Sequence, residues 1–342
     1  MKQLLSFVIP CYHSELTLKE VVADIFKTVE EDGRYDCEVG LVNDNPPDDT
    51  WRLIQTLCRE DARVKGACMA HNFGQHAALM AGFGLVQGQV VICLDDDGQT
   101  PPTEAFKLID GLSDEVDVVY ADYPESKFSN LFRRLGSDIN DAMARWLLKK
   151  PKGLYLSSYI AAKRYVIDEV VSYRGPYPYV DGLMLRSAGK IINLPVEHRE
   201  RTVGQSGYSM RKLLGLWLNG FTAFSIKPLR LATAMGGIFA AGGFLFALFV
   251  IVRKLMFGSA IDAGWSSIVC LLLIIGGMLM AMLGLVGEYI GRIYVSMNAA
   301  PQYIIREKMN FTGPEETQLP AAAFWGTGAF ALALPIQFLL ER

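Results

Sequence analysis

Two stretches of the chain, Leu231–Val252 and Trp265–Gly287, contain no charged residue. Each is long enough to cross the hydrocarbon core of a bilayer, which takes ~20 apolar residues. The backbone of such a stretch must satisfy its own hydrogen bonds in lipid, and a helix does this. The mean hydropathy of the chain is +0.22, and the apolar excess lies after residue 230. The pattern therefore predicts an all-α transmembrane region of two helices.

A third uncharged stretch, Leu319–Leu340, is also long enough to span a membrane. It contains Pro320 and Pro335, and many of its apolar residues are alanines. The tail is predicted either as a third span or as an interfacial or loosely ordered segment. The membrane region thus has two helices, or three if the tail crosses.

Basic residues flank the two spans mainly on their outer sides. They are Arg211, Lys212, Lys227 and Arg230 before the first span, Arg292, Arg306 and Lys308 after the second, and Arg253 and Lys254 in the connector. Because basic residues stay on the cytoplasmic side of a membrane, the large N-terminal part and the segment after the second span are expected to face the cytoplasm.

The chain before residue 125 alternates apolar runs of strand length with runs of helical spacing. Strands are predicted at Leu4–Pro10, Glu38–Asp44, Val64–Met69, Val90–Leu94 and Val116–Tyr120, and helices at Leu16–Glu30, Thr50–Arg59 and Ala77–Val86. Such alternation predicts an α/β fold with a mostly parallel sheet and helices on both faces.

Two later segments are basic and amphipathic. Segment 127–150 is either a packed surface helix or a membrane-surface helix, and segment 211–226 is expected at the membrane interface.

Three of the predicted strands end in polar residues, which should meet in one cleft at the carboxyl edge of the sheet. Asp95, Asp97 and Gln99 alternate after the fourth strand, and alternating side chains of an extended chain point the same way. Their oxygens suit Mg²⁺ or Mn²⁺ bound together with substrate phosphates. The alternative is an acidic turn that caps the helix beginning near Pro102.

Other candidate residues have both a functional and a structural interpretation. Asp44 is expected to contact a nucleoside, since Asp48 or Asp49 is the better helix cap. Arg201 precedes a Gly/Ser-rich loop and is either a phosphate clamp or a contact to lipid head groups. Asp181 is either close to the acceptor or a helix cap. His71 and His76 are left out of the metal site.

Charge and cysteine usage give no support to several classes of function. The formal net charge of −3 gives no indication of nucleic-acid binding. The six cysteines form no C-x-x-C pair, so they support neither zinc nor dithiol chemistry. They are expected to be buried thiols in a reducing compartment.

Several longer motifs are more specific than these patterns. They are Val8-Ile9-Pro10, Asn72-Phe73-Gly74-Gln75-His76, Leu94-Asp95-Asp96-Asp97-Gly98-Gln99, Gly204-Gln205-Ser206-Gly207-Tyr208 and Gly287-Glu288-Tyr289-Ile290-Gly291-Arg292. Between about residues 4 and 306 the chain resembles family 2 glycosyltransferases of the polyprenyl-phosphate type. That family includes dolichol-phosphate mannose synthases and bacterial undecaprenyl-phosphate glucose and aminoarabinose transferases.

The resemblance implies a GT-A fold and a set of site residues. Asp95, Asp97 and Gln99 would hold Mg²⁺ or Mn²⁺ on the donor diphosphate, and Asp97 and Arg201 would be catalytic. Asp181 is a further catalytic candidate that the resemblance does not supply. Nucleotide-sugar binding would fall to Pro10, Tyr12, Glu15, Asp44, Asp95 and Asp96. The acceptor or diphosphate would be bound by Arg133, Arg201 and Ser206.

The chain departs from the family pattern mainly on the acceptor side. The usual Tyr-Asn-Glu reads Tyr12-His13-Ser14-Glu15, and the usual Asp-Asp pair reads Asn43-Asp44. A segment that usually carries an acid and an arginine has Leu154 and Ile160 instead, and Gly207 replaces a lysine. The sugar or the lipid is therefore expected to differ from those of the best-known members.

The expected activity is transfer of a sugar from a nucleotide, more readily UDP than GDP, to polyprenyl phosphate. The reaction would invert the anomeric carbon and serve cell-envelope glycan modification at the bacterial inner membrane, with homo-oligomerisation left open. The alternatives are a processive polysaccharide synthase and a non-enzymatic scaffold or export partner. The expected domains are 1–210 (catalytic), 211–230 (interfacial helix), 231–287 (two spans), 288–310 (cytoplasmic segment) and 311–342 (hydrophobic tail).

Overall fold

The computed structural model describes residues 2–45, 47–123, 150–197, 265–297 and 301–311, with Arg145 and isolated residues between 234 and 256. The chain divides into two compact units, Met1–Asn310 and Phe311–Arg342. All elements named below belong to the first unit. The amphipathic segments at 127–150 and 211–226 and the tail at 319–340 lie almost entirely outside the described residues.

The described strands form one eight-stranded sheet in the order β7-β5-β6-β4-β1-β2-β3-β8. They are β1 Gln3–Cys11, β2 Tyr35–Asn43, β3 Val64–Met69, β4 Val90–Cys93, β5 Val118–Asp122, β6 Ile160–Lys163, β7 Ile191–Pro195 and β8 Ile305–Met309. Parallel pairs join β1 to β2 and β4, β2 to β3, and β5 to β7. β6 is antiparallel to β4 and β5, and β8 is antiparallel to β3.

Helices cover both faces of this sheet. They are α1 Leu18–Asp32, α2 Thr50–Glu60, α3 Gln75–Leu85, α4 Ala105–Asp110, α5 Arg164–Ser172 and α6 Val180–Ser187. A further long helix, α7, extends from Trp265 to Met297. Phe7 and Ile9 of β1 pack in one core cluster with α1, α2 and α4, and Val8 packs in another with α3, α5 and α6. This alternation follows from the two-residue period of a strand. The α/β architecture with a mostly parallel sheet is confirmed.

Gly82 allows α3 to lie directly on the sheet. A Cβ atom at this position would come within 2.5 Å of Val8 Cγ1 and 3.2 Å of Val42 Cγ2. A side chain there would have to displace the Val8 and Val42 side chains, which are closely packed in the core. The N-terminal end of α3 is therefore held close to the carboxyl ends of the central strands, where the predicted cleft lies.

The sequence patterns missed three strands, β6, β7 and β8. β6 has only four residues, and β8 reads Ile305-Arg306-Glu307-Lys308-Met309, with no apolar run. Charged residues suit β8 because it is an edge strand of the sheet. β2 also begins earlier than predicted, at Tyr35, and β5 begins later, at Val118.

The second predicted span corresponds to α7, but the helix is longer than the uncharged stretch. It continues past Gly287 to Met297, and its part long and apolar enough to cross a membrane is Ile275–Val295. The predicted boundary at residue 287 is therefore too early. Among the described residues, α7 is the single helix that is long and apolar enough to cross a membrane.

The first predicted span is described only at isolated residues, which are helical. A Cβ atom at Gly236 would lie 2.9 Å from Met282 Cε of α7, so the two apolar segments touch at that point. Small residues at such a contact allow helices to approach closely in lipid. A second spanning helix stays a prediction.

β8 returns the chain from α7 to the sheet and pairs with β3 from Gly66↔Met309 to Met69↔Ile305. Trp51 Nε1 donates to Glu307 Oε2 at 3.1 Å, and Asn310 Nδ2 donates to the carbonyl of Val64 at 2.8 Å. Tyr303 packs against both core clusters on the α3 face. The end of the segment after α7 is therefore part of the eight-stranded sheet, and its cytoplasmic location stays a prediction.

Asp117, just before β5, provides a test of stability against pH. Burial alone would raise its pKa, but hydrogen bonds from Tyr165, Lys163 and the N–H groups of Lys190 and Gly189 lower the pKa to about 2. Ionised Asp117 therefore stabilises the folded state fully above about pH 4, and this contribution to the free energy of unfolding is lost as the pH falls towards 2. Asp117→Asn should cost about 2 kcal/mol of unfolding free energy at pH 7 and much less near pH 2.

Denaturant unfolding of both proteins at the two pH values measures this difference. Asp168→Asn is the matched control, because Asp168 is an exposed carboxylate paired with Arg164. Exposed pairs of this kind contribute about 0–1 kcal/mol. A cost for Asp117→Asn that is the same at both pH values would contradict the ion-pair explanation.

Candidate active site

The loop after β1 is tied to the loop after β4 through Asp96. Its carboxylate accepts hydrogen bonds from Tyr12 N at 3.1 Å and from the Ser14 hydroxyl, and Thr17 Oγ1 donates to its carbonyl at 2.6 Å. Burial raises the pKa of Asp96, and the bonds from Ser14 and Tyr12 partly offset this. Asp96 thus brings the exposed Tyr12 ring to the same edge as the predicted metal ligands.

Asp44 follows β2 and is almost fully buried. Its two oxygens accept the N–H groups of Phe73 at 2.7 Å and Gly74 at 2.9 Å. Gly74 has φ +91°, which a residue with a side chain rarely adopts. Burial raises the pKa of Asp44, against the effect of these two bonds. The visible role of Asp44 is to hold the loop before α3, and a nucleoside contact stays a prediction.

The triplet Asp95, Asp97 and Gln99 was predicted to lie on extended chain, but the structure places it at a turn. β4 ends at Cys93, Asp96 and Asp97 lie in a turn, and Gly98 has φ +73°. The alternation argument was therefore wrong, because the turn rotates consecutive side chains away from a strand's two-residue period. The alternative of a helix cap is not seen either, since the 3₁₀ turn Pro102–Glu104 has no side-chain cap.

The two carboxylates of this triplet have different partners. Asp95 accepts from the Ser158 hydroxyl and from Gln75 Nε2 at 3.5 Å, whereas Asp97 Oδ1 accepts from Gln99 N at 3.1 Å. Asp95 thus connects the turn to α3 and to the segment before β6. Among the described residues, no three His, Cys, Asp or Glu side chains form a metal-binding group. Two carboxylates with an amide oxygen nevertheless provide the hard donors that Mg²⁺ or Mn²⁺ prefers.

Pro10 and Glu15 flank Tyr12 at the end of β1. Pro10 pairs with Val42 of β2, so it lies at the carboxyl edge of the sheet. Glu15 Oε2 accepts from Asp49 N at 3.3 Å, and Asp48 accepts from Thr50 N at 3.2 Å at the start of α2. The N-cap position of α2 is Asp49, which forms no side-chain cap hydrogen bond, whereas Asp48 bonds the N–H of the first helical residue. Glu15 also supports that helix start, and its role towards a nucleotide stays a prediction.

Asp181 lies in the first turn of α6 and forms a cluster with three aromatic side chains. Tyr120 Oη donates to Asp181 Oδ1 at 3.1 Å, and the His76 ring packs edge-on against Tyr179 at 5.0 Å. Burial raises the pKa of Asp181 and lowers that of His76. Burial, and then the charges of Asp181 and Asp95, raise the pKa of the Cys93 thiol at the end of β4.

Four residues of this region were missed by the sequence patterns: Tyr123, Tyr155, Ser158 and Asn193. Ser158 bonds Asp95, Tyr123 packs edge-on against Tyr155, and Asn193 bonds the backbone of Tyr155. The departures at Leu154 and Ile160 are both buried and belong to the core. Arg133, Arg201 and Ser206, predicted to bind phosphate groups, lie outside the described residues.

Two family models match the chain. One, described as Glycosyl transferase family 2, matches residues 6–171, and the other, described as GtrB C-terminal hairpin, matches residues 227–293. The first covers the sheet from β1 to α5, and the second covers most of α7.

Two similar proteins carry the same name. The undecaprenyl-phosphate 4-deoxy-4-formamido-L-arabinose transferase of Proteus mirabilis strain HI4320 is 33% identical over 92% of this chain and 96% of that protein. The transferase of the same name from Klebsiella pneumoniae strain 342 is 32% identical over 88% of this chain and 92% of its own length. Among solved structures, glucosyl-3-phosphoglycerate synthase of M. tuberculosis is 18% identical, with a TM-score of 0.46, over 64% of this chain and 78% of that one.

Proposed function

The chain belongs to the family 2 glycosyltransferases, as the motifs indicated, and from this membership we propose that it transfers a sugar from a nucleotide to undecaprenyl phosphate at the inner membrane. The observation that carries the proposal is the similarity to the P. mirabilis transferase, at 33% identity over 92% of the chain. At that coverage, the matched part of the chain contains most of the sheet, the turn with Asp95 and Asp97, and the apolar helix α7. A soluble transferase has no need of the last of these.

The donor is proposed to bind at the carboxyl edge of β1, β2 and β4. The Tyr12 ring and the loop held by Asp44 border the nucleotide, and Asp95, Asp97 and Gln99 hold a divalent cation. When bound, that cation would stabilise the negative charge of the leaving diphosphate. UDP is the proposed nucleotide, and the catalytic domain is proposed to face the cytoplasm.

The acceptor phosphate is proposed to attack the anomeric carbon directly, which inverts its configuration. A phosphate is already anionic at neutral pH, so a strong general base is not required. Arg133, Arg201 and Ser206 are proposed to bind the phosphate groups, since a guanidinium forms paired bonds to phosphate oxygens. Asp181 is proposed to line the acceptor side, where Tyr120 fixes its orientation.

Membranes that contain the protein should convert a labelled UDP-sugar and undecaprenyl phosphate into a lipid-linked monosaccharide. UDP-glucose and UDP-4-deoxy-4-formamido-L-arabinose are the first donors to test, each with Mn²⁺ and with Mg²⁺. A polymeric product would favour the processive synthase. If nucleotide sugars bind but no donor gives a product, the protein would be a non-enzymatic scaffold. The altered acceptor segment around Leu154 and Ile160 is the sequence feature behind that alternative.

A further inference from the structure

The Tyr155 side chain is partly exposed beside a buried core. Its exposed fraction is 43%, whereas Leu154 before it and Tyr159 after it are buried. Tyr155 lies on the segment that leads from residue 150 to β6. An exposed tyrosine presents a flat apolar face together with a hydroxyl group, a combination common at binding sites.

The backbone of Tyr155 is fixed on both sides by one side chain. Asn193 Oδ1 accepts from Tyr155 N at 2.7 Å, and Asn193 Nδ2 donates to the Tyr155 carbonyl at 2.7 Å. The same amide nitrogen also donates to the Tyr120 carbonyl of β5 at 3.3 Å. Tyr155 is thereby attached to β5 and β7, and an exposed ring on a fixed backbone loses little freedom when a ligand binds.

The Tyr155 ring is connected to the proposed cation ligands through neighbouring side chains. It packs edge-on against the Tyr123 ring, with centroids 6.4 Å apart and an interplanar angle of 81°. The charges of Asp95 and Asp97 both reach the Tyr123 hydroxyl and, after burial, raise its pKa. Ser158, three residues beyond Tyr155, donates to Asp95. The aromatic pair therefore borders the turn that is proposed to bind the diphosphate.

The chemistry of a nucleotide sugar indicates what this surface would bind. The sugar ring is bonded directly to the outer phosphate. It would therefore lie next to the phosphate group that the cation binds. One face of such a ring presents mainly C–H groups, and aromatic side chains pack against apolar faces of this kind. We propose that Tyr155, supported by Tyr123, forms the wall of the glycosyl subsite of the donor, with Asn193 as a positioning residue. The inference rests on the proposed function.

The test compares binding of UDP with binding of UDP-sugars to the full-length protein in detergent with Mn²⁺. Titration calorimetry with UDP, UDP-glucose and UDP-4-deoxy-4-formamido-L-arabinose gives the affinities. Tyr155→Ala should weaken the better UDP-sugar about tenfold and leave UDP unchanged. Tyr155→Phe should keep the affinity, and Asn193→Ala should give a smaller loss with the same selectivity.

Tyr177→Ala is the matched control, because that ring is 45% exposed but lies on the loop before α6. It should bind UDP and the UDP-sugars as the unmodified protein does. Equal loss of UDP and UDP-sugar, no loss at all, or a rise only in the KM for the lipid would each overturn the glycosyl subsite. Failure of the unmodified protein to bind any of the UDP-sugars would overturn the proposed UDP donor as well, and the subsite with it.

Discussion

Asp97→Asn is expected to lower sugar transfer about a thousandfold, the upper range for loss of one group that stabilises developing charge. The substitution replaces an anionic oxygen ligand by a neutral one at the proposed cation site. The asparagine oxygen can still accept the hydrogen bond from Gln99 N, now 3.1 Å from Asp97 Oδ1. The turn is therefore expected to persist, and the loss would reflect chemistry and not misfolding.

The measurement combines the transfer rate at saturating donor with calorimetric binding of Mn²⁺ in the presence of UDP. Both should fall in Asp97→Asn, while the thermal unfolding midpoint stays close to that of the unmodified protein. Asp110→Asn makes the same chemical change at an exposed pair with Arg34 and should leave both quantities unchanged. Ordinary turnover in Asp97→Asn would remove this carboxylate from the mechanism.

A protein that ends after Ala300 is expected to aggregate, whereas one that ends after Phe311 is expected to unfold cooperatively in detergent. The shorter protein lacks β8, so the backbone groups of β3 lose their partners at Gly66 to Met69. An open, flat edge strand is prone to pair with other chains. It also lacks Tyr303, and a cavity left by a large aromatic residue costs about 3–5 kcal/mol when that residue is fully buried.

Size-exclusion chromatography in detergent and thermal unfolding distinguish the two proteins. Tyr303→Ala in the full chain is a milder test, and it should lower the unfolding midpoint without removing the β3–β8 pairing. Equal midpoints for the two truncated proteins would show that β8 is not needed for the fold.

Local patterns in the sequence were sufficient for the parallel core. β1, β2 and β4 are buried on both faces, so they appear as apolar runs bounded by polar turns. Local patterns were insufficient for β8, because its charged sequence forms a strand only when β3 lies beside it. Pairing between segments so far apart has no local signal.

The candidate site was predictable in composition but not in geometry. Asp95, Asp96 and Asp97 were identified from their position after a buried strand, and this position is correct. Their partners were not, since Ser158 and Tyr12 approach from segments distant in sequence. Asp44 also carries two backbone hydrogen bonds that no sequence pattern indicates. Long-range partners decide where each carboxylate points, and they become visible only in the folded chain.

The position of β8 has a consequence for how the protein is made. Cys68 and Arg306, which touch across the β3–β8 pair, are separated by 238 residues. At about 5–20 residues per second, synthesis of that interval takes roughly 10–50 s, and β3 stays an open edge throughout. The sheet is therefore completed only after the ribosome has made α7. A nascent chain that stalls before β8 is made retains the open edge, which chaperones and proteases are expected to recognise, so completion of the sheet depends on synthesis of both α7 and β8.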